Sequence, residues 1–213
     1  MSKVRIYLIR HGETEYNREG RYQGTIDVPL SQRGQEQAAS LAHRLREEEI
    51  EAIYTSDLGR ARETAQAIAR DHDLDVIIEE GLRERGFGQW EGLTFGEIKE
   101  RFPQVASHWL QDPLHTEVPG GEDFGAFQRR IIATLDGIRR RHREGNIAVI
   151  THGGPILAIL AHILQLEGDG MLRLRLDNAC LSIIEYFGPT PVLILWNDTC
   201  HLPEKNYPYF QYK

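Results

Sequence analysis

Two short apolar segments that each run into a histidine constrain this chain more than any other feature. The first covers residues 4–9 and leads into Arg10 and His11, and the second covers residues 146–151 and leads into His152. A glycine follows each histidine, and short β-rich runs that end in this way are typical of buried strands. Ligands bind at the carboxyl ends of the strands in open α/β sheets, so we expect the two histidines to bracket one point at that edge.

Strand-like and helix-like segments alternate along the rest of the chain. Residues 52–56 and 75–78 have the composition of short strands, and residues 32–48, 57–69 and 124–138 carry apolar side chains at helical spacing. Strands that alternate with helices predict an α/β fold. We expect a three-layer α/β/α architecture, in which helices cover both faces of a mostly parallel central sheet.

Several side chains mark where helices begin. Ser31 is a predicted N-cap for the helix over residues 32–48, and Thr94 with Glu97 forms a capping-box pattern. Pro155 fits the first position of a helix that follows the second histidine. These signals place three helix starts along the chain.

Residues 103–121 interrupt the alternation. They contain three prolines and end in two glycines, so they cannot form a single helix. We expect a small cap or loop excursion over about residues 85–121, on a single domain that spans residues 1–213. Trp109 within it could shape a substrate pocket or pack the loop down.

The chain is predicted to close with a β-hairpin. Its strands are residues 181–187 and 192–196, which flank a turn rich in glycine and proline. An apolar stripe on this hairpin could support a homodimer.

Composition narrows the partners and the location. A net charge of −7 and a pI near 5.7 argue against a nucleic-acid surface, and no segment reaches the roughly 18 apolar residues of a membrane span. The two cysteines, Cys180 and Cys200, lack a CxxC pattern and favour reduced thiols, and the N-terminus has no signal-peptide pattern. We therefore expect a cytoplasmic protein that binds neither nucleic acid nor membrane.

An acidic protein that binds an anion must concentrate positive charge locally. Arg10 stands beside His11 at a strand end, and Asn17 can return as a hydrogen-bond donor. Arg60 lies in the first turn of a helix that begins directly after a strand, so it faces the same edge, whereas Arg62 points about 200° away around that helix. This pattern favours a phosphate-like group.

Four segments in order carry a resemblance to a known family. Arg-His-Gly-Glu-Thr-Glu-Tyr-Asn at 10–17 resembles the Arg-His-Gly-x-[Thr/Ser]-x-x-Asn signature of the histidine phosphatase superfamily, in the branch that also contains cofactor-dependent phosphoglycerate mutases. Thr-Ser-Asp-Leu-Gly-Arg-Ala around Arg60, Leu-x-Glu-Arg-x-x-Gly around Glu84 and Thr-His-Gly around His152 are similar to the later motifs of that family. The resemblance covers residue 4 to about residue 155.

The resemblance implies a metal-independent phosphatase for small phosphomonoesters, with broad specificity. His11 would be the nucleophile that becomes phosphohistidine, Glu84 would donate and later accept the proton, and His152 would complete the catalytic set. The implied phosphate-binding residues are Arg10, Asn17, Arg60 and His152, and the weaker substrate-binding candidates are Gln23, Gly24, Arg85 and Gly153.

A metal mechanism is the competing chemistry, and the sequence does not favour it. Nine histidines occur without an HxH or HExxH pattern. We therefore expect no metal and no cofactor, and a small phosphorylated metabolite as the partner.

A phosphoglycerate mutase and a phospholigand-binding protein stay open as alternatives. The mutases carry a longer and more basic insertion, whereas Glu84 and His152 are only 68 positions apart here and the loop over residues 111–123 is more acidic than basic. A protein that only binds its ligand would not need both His11 and Glu84.

Two short comparisons bear on the substrate. Gly-Gly-Glu-Asp-Phe at 120–124 is loosely similar to the cap end of α-ribazole-phosphate phosphatases. Phe87 stands where metal-independent phosphoserine phosphatases of the family have a histidine, which ranks phosphoserine lower.

Overall fold

The elements follow one another in the predicted alternation in the computed structural model, which describes residues 3–203. The strands are β1 (Lys3–Arg10), β2 (Ile50–Thr55), β3 (Val76–Ile78), β4 (Gly145–Thr151), β5 (Leu181–Phe187) and β6 (Thr190–Asp198). The helices are α1 (Glu15–Glu19), α2 (Gln32–Leu45), α3 (Gly59–Ala69), α4 (Phe95–Arg101), α5 (Pro103–Gln111), α6 (Phe124–Arg141) and α7 (Gly153–Ile163), and short 3₁₀ turns lie at Glu80–Leu82, Gly88–Trp90 and Gly168–Arg173.

The six strands form one sheet in the order β3-β2-β4-β1-β5-β6. Strand β4 pairs in parallel with β1 and β2, and β3 pairs in parallel with β2, whereas β5 and β6 are antiparallel. The mostly parallel sheet and the closing hairpin are confirmed. Arg10 is opposite Thr151 in the register, and Thr55 is opposite Ile150, so β1, β2 and β4 end at the same edge.

Helices cover both faces of this sheet. In β1, Ile6 and Leu8 belong to a core with α6 and α7, whereas Tyr7 and Ile9 belong to a second core with α2 and α3. Burial of each aliphatic side chain stabilises the folded state by about 1.5–3 kcal/mol. Because successive side chains of a strand point to opposite faces, β1 packs against both helix layers. The predicted three-layer architecture is confirmed. Within the described residues, no helix is both long enough and apolar enough to cross a membrane.

The predicted helix starts are confirmed at two positions and shifted at a third. Ser31 Oγ accepts a hydrogen bond from the Gly34 N–H at 3.1 Å, and Thr94 and Glu97 form their capping box. Helix α7 begins at Gly153, so Pro155 occupies its third position and the prediction of the first was wrong. A proline fits there because the first four N–H groups of a helix have no acceptor within it.

Helix α2 ends at Leu45, three residues before the predicted end. Three glutamates follow at positions 47–49, where the negative pole of a helix disfavours carboxylates.

Helices α4 and α5 have an apolar cluster of their own, separate from the two sheet cores. Trp109 packs against Trp90 at 5.1 Å between ring centroids and against Phe87 at 5.9 Å. The sequence left two roles open for Trp109, and these ring contacts support the packing role. The extent of the cap, and the single domain that carries it, stay predictions.

Candidate active site

The two strand-end histidines lie side by side, as their sequence positions predict. The His11 N–H donates to the Thr151 carbonyl at 3.0 Å, which joins the end of β1 to the end of β4. The rings of His11 and His152 are 5.1 Å apart between centroids, at 62° to each other. Both side chains are buried, so protein atoms surround the two imidazole rings at this edge of the sheet.

The His11 ring is held in one orientation. Its Nδ1 is 2.7 Å from the Gly12 carbonyl oxygen, and since a carbonyl can only accept, Nδ1 carries the proton. The lone pair is therefore on Nε2. Burial, followed by the charges of Arg60 and Arg10, holds the pKa of His11 well below its usual value, so the ring is neutral at pH 7.

His152 is the N-cap residue of α7 and lies against the end of β2. Its Nε2 is 2.7 Å from Ser56 Oγ, whereas its Nδ1 is shielded from solvent and has no hydrogen-bond partner among the described residues. Burial, and then the charge of Arg60, holds the pKa of His152 well below its usual value. A neutral imidazole with one free nitrogen results.

Two arginines flank the imidazoles, Arg60 buried and Arg10 partly buried, and both donate to backbone carbonyls. Arg60 donates to Ile26 O and Gly24 O, both at 2.8 Å, and Arg10 donates to Leu176 O at 2.7 Å. The Nε atom of each guanidinium is shielded and has no hydrogen-bond partner among the described residues. At least the Nε–H of each arginine is thus left without an acceptor in this part of the chain.

Burial lowers the pKa of both arginines. It brings the pKa of Arg60 to about 10, which leaves the guanidinium charged at neutral pH, and the carboxylate of Glu84 partly offsets the burial. The pKa of Arg10 is lowered by the same cause. Among the described residues no carboxylate bonds to either guanidinium group, which is an arrangement that an anion would relieve.

Glu84 lies at the start of α7, next to His152. Its Oε1 accepts from the Arg85 N–H at 2.9 Å, and its Oε2 accepts from the Gly154 N–H at 3.1 Å. A side chain at position 154 would displace this carboxyl group from its position. The loop after β3 and the first turn of α7 together place one carboxyl group beside the imidazole pair.

Asn17 is the third residue of α1 and forms a capping box with Thr14. Its Oδ1 accepts from the Thr14 N–H and from Asn178 Nδ2, both at 3.1 Å. The carbonyl end of the amide is therefore committed to the fold. The Nδ2 end is the one that can donate to a ligand.

The weaker substrate-binding candidates fall into two groups. Three of them lie near the phosphate-binding candidates: Gly24 accepts from Arg60, a Cβ on Gly153 would be 3.5 Å from Arg10 Nε, and Gln23 accepts at 2.9 Å from Oγ1 of Thr14, the capping partner of Asn17. Arg85 is different, because it belongs to the cap side of the molecule.

Arg85 is enclosed by aromatic rings. Its guanidinium carbon is 5.6 Å from the ring centroid of Phe87, 5.7 Å from that of Trp109 and 5.6 Å from that of Phe124, and its Nε donates to Glu122 O at 3.0 Å. Burial lowers its pKa. The contacts of this side chain are therefore with the cap, while its backbone N–H serves Glu84.

A comparison with known proteins decides the family. The model of the histidine phosphatase superfamily, branch 1, matches residues 6–199. The chain belongs to that family. As a branch 1 histidine phosphatase it is a phosphoric monoester hydrolase.

Relatives match along nearly the whole chain. Phosphoserine phosphatase 1 from Hydrogenobacter thermophilus is 35% identical over 94% of this chain and 95% of its own length. The crystal structure of the α-ribazole phosphatase from Shigella flexneri has a TM-score of 0.85 at 31% identity, over 91% of this chain and 96% of that one. A mutant phosphoserine phosphatase from Entamoeba histolytica, in complex with phosphoserine, has a TM-score of 0.84 at 30% identity, over 93% and 99%.

The histidine phosphatase site contains residues that the sequence analysis did not single out. Ser56, which contacts His152, was detectable, because it directly follows β2, the strand that neighbours β4 in the parallel part of the sheet. Leu176 and Asn178, which contact Arg10 and Asn17, come from the irregular segment before β5. That segment has no periodic pattern, so no sequence signal would have placed it here.

Proposed function

We propose that this histidine phosphatase hydrolyses small phosphomonoesters without a metal, through a phosphohistidine formed on His11. The observation that carries the proposal is a set of three shielded nitrogens without partners, which are Arg10 Nε, Arg60 Nε and His152 Nδ1. A buried polar group without a hydrogen bond costs about 1–3 kcal/mol, and more when it is charged. The oxygens of one phosphoryl group would accept from all three donors.

The donor role of His152 depends on its tautomer. When Ser56 donates its hydroxyl proton to Nε2, the proton of the imidazole is on Nδ1, and Nδ1 can donate to a phosphoryl oxygen. Ser56 is then a positioning residue, because it selects the tautomer without touching the substrate. Asn17 Nδ2 would add a further donor.

The first step transfers the phosphoryl group to the enzyme. The Nε2 lone pair of His11 attacks phosphorus, the bond from phosphorus to the alcohol oxygen breaks, and Glu84 gives its proton to the departing alkoxide. His11 suits this task, because a neutral imidazole keeps its lone pair and the Gly12 carbonyl fixes its direction. The two arginines stabilise the charge on the equatorial oxygens.

The second step returns the enzyme to its starting state. Glu84, now a carboxylate, takes a proton from a water molecule, the water oxygen attacks phosphorus, and the bond from phosphorus to Nε2 breaks. Inorganic phosphate leaves, and Glu84 carries the proton it will donate in the next cycle. The N–H groups of Arg85 and Gly154 hold the carboxyl group in place through both steps.

The residues around Phe87 and Glu122 support a broad substrate specificity rather than a single substrate. Phe87 packs edge-to-face on Tyr22 at 5.0 Å and lies beside Arg85, so an apolar ring takes the place of the histidine expected in metal-independent phosphoserine phosphatases. Glu122, from the segment similar to α-ribazole-phosphate phosphatases, is paired with Arg130 at 2.7 Å. The names of the relatives nevertheless make phosphoserine and α-ribazole phosphate the first compounds to test.

The experiment is phosphate release from a panel of phosphomonoesters in excess chelator. The panel contains phosphoserine, α-ribazole phosphate, 3-phosphoglycerate and 4-nitrophenyl phosphate, and it compares the wild type with His11→Ala and with the surface control His115→Ala. We expect release by the wild type and the control alone. Turnover by His11→Ala at the wild-type rate would overturn the mechanism, and conversion of 3-phosphoglycerate to 2-phosphoglycerate in place of hydrolysis would favour the mutase.

Location and assembly belong to the same proposal. Both cysteines are free thiols, Cys180 buried and Cys200 exposed, which supports a reducing compartment such as the cytoplasm. The edge strand β6 exposes Val192 and Ile194, where a second copy would pair in the predicted homodimer. Sedimentation of the wild type and of Ile194→Lys tests that assembly, and equal masses for the two would count against it.

A further inference from the structure

A group of three potential metal ligands lies at the end of β6, apart from the imidazole pair. Asp198, Cys200 and His201 each offer one ligand atom, and the three atoms are all within 4.8 Å of one another. Cys200 and His201 also line a surface cavity of about 520 Å³, together with His43 on α2. Cys200 and His201 therefore border one accessible volume, and a ligand atom of Asp198 lies within 4.8 Å of theirs.

The His201 ring is set up as a ligand. Its Nε2 donates to the Ala179 carbonyl at 2.9 Å, which leaves the lone pair on Nδ1. Nδ1 is shielded from solvent and has no hydrogen-bond partner among residues 3–203. Metal-bound histidines are typically oriented in this way by a hydrogen bond from the second ring nitrogen.

The other two ligands are already in contact. Asp198 Oδ2 accepts from the Cys200 thiol at 3.2 Å, and Oδ1 accepts from the Cys200 N–H at 3.0 Å. Arg44, which also lines the cavity, has Glu48 as an ion-pair partner at 3.5 Å.

We propose that Asp198, Cys200 and His201 bind a divalent ion of the zinc class. Thiolate, imidazole and carboxylate are the donors that zinc accepts, and bonds of about 2.0–2.3 Å in a tetrahedron separate the ligand atoms by about 3.3–3.8 Å. The present spacing reaches that range with a small side-chain adjustment. On binding, the ion replaces the thiol proton, which is released to solvent, and the fourth position takes water or His43.

The proposed ion would act on the fold and not on the phosphate ester. The His201 ring donates to the carbonyl of Ala179, and the N–H of Ala179 donates to the His11 carbonyl at 3.0 Å. An ion on His201 would therefore stiffen the segment behind the nucleophile. Because a folded site binds the ion and an unfolded chain does not, the ion stabilises the native state.

A cobalt(II) titration under a reductant without thiols tests the proposal. We expect one ion per chain, with visible bands of four-coordinate cobalt and a near-ultraviolet thiolate-to-cobalt band, and zinc should displace the cobalt and raise the melting temperature. Cys200→Ser should abolish the near-ultraviolet band, and Asp198→Asn should weaken binding by at least about tenfold. The exposed His115, which contacts Asp112 without a nearby thiol, supplies the control His115→Asn, which should bind as the wild type does.

The proposal fails if the wild type shows no thiolate band, or if Cys200→Ser keeps it. Cys200 is exposed, so its replacement by serine leaves the core intact, and the near-ultraviolet band distinguishes loss of the ligand from loss of the fold. Phosphate release in excess chelator is measured separately. The metal-site proposal and the phosphatase proposal can therefore each be disproved without the other.

Discussion

The mechanism proposed for this histidine phosphatase depends on individual polar atoms that have no hydrogen-bond partner within residues 3–203. Arg10, Arg60 and His152 each have one shielded nitrogen without a hydrogen-bond partner among residues 3–203, while other nitrogens of the two guanidinium groups donate to backbone carbonyls and His152 Nε2 contacts Ser56 Oγ. Unpaired buried donors are costly, so their convergence beside His11 marks the place where a ligand provides the missing acceptors.

The first residue-scale prediction concerns the state of His11. Burial and two neighbouring cations favour the neutral ring, and the Gly12 carbonyl favours the proton on Nδ1. Nitrogen-15 NMR of the free protein should show this tautomer and no titration of His11 through the ordinary histidine value of about 6.5. Protonation of His11 near that pH, or a proton on Nε2, would contradict the account.

The second residue-scale prediction concerns the proton that Glu84 supplies. In Glu84→Gln the alcohol must leave without an acid, which should slow the hydrolysis of phosphoserine by about 10²–10⁴-fold. Hydrolysis of 4-nitrophenyl phosphate should fall much less, because nitrophenolate leaves readily without a proton. Equal losses for both substrates would indicate that Glu84 has a positioning role only.

Elements place these residues, and the sequence predicted that level well. Alternating strands and helices indicated the sheet, and the ends of β1 and β4 indicated where His11 and His152 would meet. The short helix α1 was missed, since its five residues bury no side chain and leave no periodic pattern. The contact of Leu176 with Arg10 was beyond prediction as well, because it depends on how an irregular segment returns to the sheet.

At the turn after β1, one glycine is required by close packing. A Cβ on Gly12 would be 2.5 Å from the carbonyl oxygen of Gly34, which is a backbone atom and not the end of a flexible side chain. Gly12→Ala should therefore lower the free energy of unfolding by about 1–3 kcal/mol and reduce activity, because the strain lies next to His11.

Gly137, in the middle of α6, is the matched control. A Cβ there would meet nothing within 4 Å, so Gly137→Ala should raise the free energy of unfolding by about 0.5–1 kcal/mol. Urea denaturation of both variants checks the pair. Equal effects would show that glycine entropy alone, and not the contact with Gly34, explains position 12.

Over the whole molecule, a net charge of −7 coexists with a pocket of buried cations and neutral imidazoles. The pKa values of His11 and His152 are depressed in the folded state, so below about pH 6.5 the unfolded chain binds protons that the folded chain does not. Stability is then full above that pH and is lost as the pH falls.

The measurement for this prediction is the free energy of unfolding as a function of pH. Each such histidine adds up to about 1.4 kcal/mol per pH unit to the slope below about pH 6.5. His11→Gln should remove one share of that slope, while the carboxylates, which also titrate in acid, contribute equally to both proteins. An unchanged slope in His11→Gln would contradict the depressed pKa.

The central claim is that His11 carries the phosphoryl group, and trapping the intermediate tests it most directly. A phosphorus-32 substrate is mixed with the enzyme and quenched in alkali, in which phosphohistidine survives, and the labelled peptide is mapped. We predict label on His11 in the wild type and none in His11→Asn. Label on another residue, or turnover by His11→Asn without any label, would contradict the account.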